Sequence, residues 1–223
     1  MTRTLTMIAA LACLAIGGWV LTNQSQTTTI EPIGAAFAQD ASDVDTSMVK
    51  DMSIGNPDAS VTVIEYASFT CPHCASFHAN NFKQLKADFI DTGKINFIYR
   101  DVYFDRPGLW AAIIARCGEG AENRFFGIAD LIYERQNQWA RSDNPQQMVD
   151  QLRTIGKTAG LTDAQLDACL TDGDKAQALY AVYQQNAEKD GISSTPSFVI
   201  NGRKYSNMAY DEMKEIIESK LDS

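Results

Sequence analysis

Val61-Thr62-Val63-Ile64-Glu65-Tyr66 leads within a few residues into Cys71-Pro72-His73-Cys74, and this stretch decides the fold. Its first half is β-branched and aromatic, the signature of a strand. Beyond the cysteines, Phe82, Leu85 and Phe89 recur at helical spacing with polar residues between them. Pro72 suits the first position of that helix, where a missing N–H costs nothing and the fixed φ fits the turn. Cys71 then falls at the N-cap, facing unpaired backbone N–H groups and the positive end of the helix dipole. Such a setting favours thiolate over thiol, and the thiolate is the nucleophile of disulfide chemistry. Strand, Cys-x-x-Cys and helix in that order point to a redox-active dithiol. The competing reading is half of a structural zinc site, which needs four closed nitrogen or sulfur ligands. His73, His78, Cys117 and Cys169 are available to complete one, but as isolated residues without paired ligand spacing.

Outward from this centre, Ile95-Asn96-Phe97-Ile98-Tyr99 reads as a second strand, introduced by the turn signal Asp91-Thr92-Gly93. Strand, helix and strand imply a parallel pair with a right-handed crossover. The next strand signal is Pro196-Ser197-Phe198-Val199-Ile200, with Asn201-Gly202 as a turn and a short partner around Arg203 to Tyr205. A last helix, from about Ala209 to Leu221, buries Met213, Ile216, Ile217 and Leu221. Between these blocks the pattern is helical. Trp110, Ile113, Ile114 and Cys117 share one stripe, and Phe125, Phe126, Ala129 and Ile132 another. Pro145 opens a helix carrying Met148, Leu152 and Ile155. Thr162-Asp163-Ala164-Gln165 has the form of a capping box. A further helix runs from about Asp174 to Lys189, with Leu179, Val182 and Tyr183 inward and Gly191 as its stop. The class is therefore α/β: a mixed sheet interrupted by an all-helical insertion over residues 106–190.

The N-terminal residues read as an export signal, with Arg3 ahead of the apolar stretch Met7 to Leu21. That stretch is short for a spanning helix, which needs about 17–25 residues. Ala36-Phe37-Ala38 before Gln39 has the form of a cleavage site, giving a signal peptide over residues 1–38 and a flexible leader over residues 39–51. The polar run from Thr22 to Gly34 is longer than such signals carry, so a short uncleaved anchor is the alternative. Either way the working part, residues 52–223, faces an oxidising space outside the cytoplasm. The net charge of −9 includes no basic cluster and argues against nucleic acid or anionic membrane surfaces as partners.

The chain resembles the DsbA family of thiol:disulfide oxidoreductases, thioredoxin folds with an inserted helical domain. The resemblance rests on Gly55-Asn56-Pro57-Asp58-Ala59, on Val61 to Phe69 leading into Cys71-Pro72-His73-Cys74, and on Ser194-Thr195-Pro196-Ser197-Phe198-Val199-Ile200-Asn201-Gly202. It implies that Cys71 is the exposed attacking sulfur and Cys74 the buried resolving thiol, with His73 tuning Cys71. A passive surface histidine is the alternative for His73. Thr195-Pro196 resembles the family's cis-proline loop, against the plainer possibility of a trans proline opening an edge strand. Glu65 is either a solvent-facing strand residue or, as in the family, an acid beneath the disulfide that assists proton transfer to the resolving thiol. Some members carry an extra disulfide in the helical region, which here implies Cys117–Cys169; two buried free thiols are the alternative.

The activity implied is donation of the Cys71–Cys74 disulfide to exported proteins that carry free thiols, in the periplasm. Reoxidation by a quinone-linked membrane partner of the DsbB type is implied with it. A monomer is expected, with no cofactor and no metal. Pro-His between the cysteines resembles the oxidases, whereas reductases of this fold usually carry Gly-Pro. A reductase or isomerase is the nearest alternative. A metal carrier using Cys71, Cys74 and His73 as soft ligands is the more distant one.

Overall fold

Alternation fixes the centre of the sheet. The structure, a computed structural model, describes residues 44–222. Strand β2, Val61–Ala67, buries Val61, Val63 and Glu65 on one face and lies mid-sheet. It pairs in parallel with β3, Ile95–Asp101, and antiparallel with β4, Ser197–Ile200. Strand β4 is buried along its whole length, as expected of a strand covered on both faces. It turns through Asn201 and Gly202, both at positive φ, into β5, Arg203–Ser206. Two consecutive residues at positive φ match the right-handed twist of a tight hairpin. The Asn201 side chain also anchors this turn, accepting from Thr62 N at 2.8 Å and donating to Ser60 O at 3.0 Å.

A fifth strand, β1 (Met52–Gly55), adds antiparallel to β3, giving the order β1-β3-β2-β4-β5. The sequence pattern carries no strand signal here. Four residues with one buried side chain carry too little alternation to register as a strand. The expected leader runs directly into it. Within that leader, Val49 packs on the core, Lys50 O accepts from Arg116 at 2.8 Å, and Asp51 pairs with Arg100 at 2.9 Å. The expected signal or anchor at residues 1–38 lies outside the described residues.

The helix after the cysteines is divided. Helix α1 is Pro72–Ala79 and α2 is Asn81–Leu85, followed by a π-helical turn at Lys86–Ile90. Asn80 leaves helical geometry between them, and its side chain satisfies Ser76 O at 2.9 Å. The division keeps Phe77, Phe82, Leu85, Phe89 and Ile90 all buried.

Six helices separate β3 from β4: α3 (Arg106–Ala115), α4 (Ala121–Glu134), α5 (Gln136–Trp139), α6 (Pro145–Thr158), α7 (Asp163–Thr171) and α8 (Gly173–Lys189). From Gly108 to its end α3 is buried on every side, which makes it the axis of this insertion. Asp105 caps it, accepting from Gly108 N at 2.8 Å. Asn144 caps α6, Thr162 and Gln165 form a reciprocal capping box on α7, and Asp172 caps α8. Gly156 lets α6 meet α7, since a Cβ there would stand 2.8 Å from a Leu166 methyl. Helix α8 differs from the expected face: Ala176, Ala178, Leu179 and Ala181 are buried, whereas Val182 and Tyr183 are half-buried. Helix α9, Tyr210–Leu221, closes the chain against α2 and β2.

Candidate active site

The β2–α1 junction holds the cysteines. Cys71 is the N-cap of α1 with extended backbone (φ −78°, ψ 119°), and Pro72 opens the helix. Both Cys71 and Cys74 are free thiols, Cys71 half-exposed and Cys74 fully buried. Their acidities diverge. The Cys71 pKa is lowered from its ordinary 9.0 to about 5, first by a hydrogen bond from the Cys74 thiol. Burial opposes the shift, while Thr195 and the backbone N–H groups of Cys74 and His73 add to it. Cys74 goes the other way. Burial pushes its thiol up, and the negative charges of Cys71 and Glu65 push it further. One sulfur is thus poised as a nucleophile and leaving group, the other as a retained thiol.

The loop after β2 is held from both sides. Cys71 N donates to Ser68 O at 3.0 Å, and Thr70 Oγ1 donates to Asp105 Oδ2 at 2.9 Å. From the insertion, buried Gln136 sends Nε2 to Phe69 O at 2.8 Å and to Cys71 O at 3.0 Å. On the opposite flank the Thr195–Pro196 peptide is cis, and Thr195 O lies 3.4 Å from Cys71 Sγ. His73 is exposed on the first turn, and its backbone N–H is among the groups that hold the thiolate.

Beneath the cysteines Glu65 is fully buried, not solvent-facing. In the sheet it stands between Tyr99 of β3 and Phe198 of β4. Its Oε2 lies 3.0 Å from His78 Nε2, and its Oε1 has no hydrogen-bond partner among the described residues. The His78 ring stacks on Tyr133 with centroids 4.3 Å apart. Burial opposes a charge on His78, but the Glu65 carboxylate and Asp130 outweigh it and lift its pKa to about 9. Asp130 Oδ1 is 3.8 Å from His78 Nδ1, beyond a hydrogen bond but close enough for charge to act.

The structure therefore brings Cys71, Pro72, Cys74, Glu65, Thr195 and Pro196 to one place. Cys117 and Cys169 lie in the insertion and are joined to each other by a disulfide. With those two bonded and His78 committed to Glu65, the donors of the zinc alternative do not converge. Among the described residues no three His, Cys, Asp or Glu side chains are placed to hold a metal ion. Sequence reasoning missed His78 as Glu65's partner, and missed Gln136, Asp105 and Asp130 altogether. The available signal was spacing: His78 follows Cys74 by one helical turn and so shares its buried face.

Comparison with known proteins is consistent with this arrangement. The family model described as Thioredoxin matches residues 47–219. A putative protein-disulfide oxidoreductase of Rickettsia bellii is 33% identical over 172 residues, covering 77% of this chain and 65% of that protein. The chain thus spans just under two thirds of that relative's length. Disulfide bond formation protein D of Bacillus subtilis is 28% identical, with 75% of this chain and 76% of that protein covered. Among solved structures, alpha-DsbA1 of Wolbachia pipientis superposes with a TM-score of 0.70 at 27% identity, over 78% of this chain and 92% of that one.

Proposed function

This chain belongs to the thioredoxin family, with the layout of the alpha-DsbA1 structure it superposes on, and we propose that it is a thiol:disulfide oxidoreductase acting as an oxidase. A substrate thiolate attacks Cys71 Sγ of the Cys71–Cys74 disulfide, and the S–S bond breaks with its electron pair passing to Cys74. A second substrate thiolate attacks the substrate sulfur of the mixed disulfide, and Cys71 departs as thiolate. The substrate leaves with a new disulfide and the protein is left as the dithiol. Cys71 is the group to be attacked because it is the exposed sulfur and the better leaving group. Thr195 and Pro196 offer backbone beside it for an extended substrate segment. Glu65 exchanges the proton of Cys74. The Cys117–Cys169 bridge is structural.

The observation that carries this reading is the placement of the two thiols, Cys71 half-exposed at the N-cap of α1 beside Thr195 O and Cys74 buried behind it, which drives their acidities apart. A stabilised Cys71 thiolate stabilises the dithiol form, and that energy drives oxidation of the partner. The site of action is outside the cytoplasm, on exported proteins with free thiols, and a DsbB-type membrane protein takes the electrons back. The test is direct. The disulfide form, incubated with a reduced peptide dithiol, oxidises it stoichiometrically; Cys71→Ser abolishes this and Cys74→Ser accumulates the mixed disulfide. A disulfide form that leaves the peptide reduced contradicts the proposal. In cells, a thiol reagent that cannot cross membranes should label Cys71; labelling only after lysis contradicts the location.

A further inference from the structure

His78 is a buried, charged side chain that the exchange steps do not use. It lies between Glu65 in the sheet and Asp130 on the outer face of α4, whose side chain is 59% exposed. Each contact lies on a line from the interior outward: Glu65 Oε2 to His78 Nε2 at 3.0 Å, then His78 Nδ1 to Asp130 Oδ1 at 3.8 Å. The other titratable side chains against the ring, among the described residues, are Tyr99 and Tyr133, with centroids at 6.0 and 4.3 Å and their hydroxyls bonded to each other at 2.7 Å. Both tyrosines are held protonated by burial. Neither gives up its proton near neutral pH, so His78 is the group with a proton to give.

We propose that His78 and Asp130 form the proton outlet of the site, exchanging one proton with solvent for each proton that Glu65 exchanges with Cys74. The inference rests on the oxidoreductase reading above. When the dithiol is reoxidised, a disulfide partner first forms a mixed disulfide at Cys71. Cys74 then gives its proton to Glu65 Oε1, and its sulfur attacks Cys71 Sγ, breaking the mixed bond and releasing the partner as thiolate. Simultaneously His78 releases its Nδ1 proton to Asp130, or to solvent beside it. The ion pair Glu65⁻–His78⁺ becomes a neutral pair, so the interior never holds an unpaired charge, which burial makes costly. When the disulfide is next attacked, Glu65 returns a proton to the departing Cys74 thiolate. His78 Nδ1 then takes one from outside. No proton has to cross from Nε2 to Nδ1. His78 is a positioning and proton-balancing residue here, acting through Glu65.

The test uses oxidised glutathione as the disulfide partner and separates two events: formation of the Cys71–glutathione mixed disulfide, and its resolution by Cys74. Both are followed by acid quench and mass spectrometry between about pH 5.5 and 8, a range over which the parent's His78 holds its proton. In the parent, resolution varies little with pH. His78→Gln keeps a donor to Glu65 but has no proton to lose. It should slow resolution by about 10-fold near pH 6, less than the roughly 100-fold of a direct general acid or base because His78 acts through Glu65, and make the rate climb with pH. Asp130→Asn should slow resolution several-fold, and Asp130→Glu should restore it. Formation of the mixed disulfide should be unchanged in all three. His78→Gln and Asp130→Asn resolving at the parental rate with a parental pH profile would overturn the relay. So would formation and resolution falling together, which marks a distorted site. A parent that forms no mixed disulfide overturns the oxidoreductase reading itself, and the relay with it.

Discussion

At Cys71 a single side chain decides the chemistry, and its thiolate should be measurable. Alkylation of the dithiol form by iodoacetamide should follow one titration with a midpoint near 5, modifying Cys71 and sparing Cys74. Cys74→Ala removes the donor that contributes most to this acidity and should move the midpoint upward. A midpoint left in place would show that the helix end alone holds the thiolate. Stability follows with a definite sign. The Cys71 pKa is depressed in the folded dithiol, so its stabilisation is complete above the ordinary 9.0 and is lost as pH falls toward about 5. His78 is raised, so its stabilisation is complete below 6.5 and is lost as pH rises through about 9. The two slopes oppose each other and cancel between 6.5 and about 9, so urea titrations of the dithiol form should show a plateau there and a fall as pH drops from 6.5 toward about 5. A curve flat from 6.5 down to about 5 contradicts the Cys71 shift. The two cysteines, Pro72 and Glu65 were readable as sequence because each breaks a local pattern. What Glu65 does was not readable, since its partner is chosen by how α1 settles on the sheet.

Elements bring these residues together through a few tertiary ties. Gln136 sits at the start of the four-residue α5, yet its amide holds two carbonyls of the Cys71 loop. Gln136→Leu should cost about 1–3 kcal/mol in urea denaturation, the penalty for leaving a buried acceptor unpaired. A loss under a few tenths would mean that the loop needs no such tie. In the insertion, Cys117 and Cys169 are separated by 52 residues. Replacing both by alanine should remove up to about 4 kcal/mol by the chain-entropy argument while leaving the Cys71 alkylation midpoint in place. A shifted midpoint would make the bridge part of the catalytic apparatus. Helix starts were legible because Pro145, the Thr162–Gln165 box and Asp172 are local capping signals. Strand β1 and the break at Asn80 were not. The first is short and pairs with a strand some forty residues away, and the second answers to packing beneath it.

Taken whole, the molecule is a thioredoxin-type sheet whose six-helix insertion lies between β3 and β4 and reaches back to the active-site loop. That layout was legible from block order: strand, Cys-x-x-Cys helix and strand, then a long helical stretch, then the Thr195-Pro196 strand. The ties across the insertion were not, because Gln136 and Asp105 look like ordinary surface residues until the fold closes. On the proposed function, this architecture stabilises the dithiol over the disulfide and makes the protein an oxidant. Equilibrium of the Cys71–Cys74 pair with a glutathione redox series measures that balance directly. A standard potential near that of the strong oxidants, about −120 mV, is the expected result; a value near the thioredoxin range, about −270 mV, would contradict it.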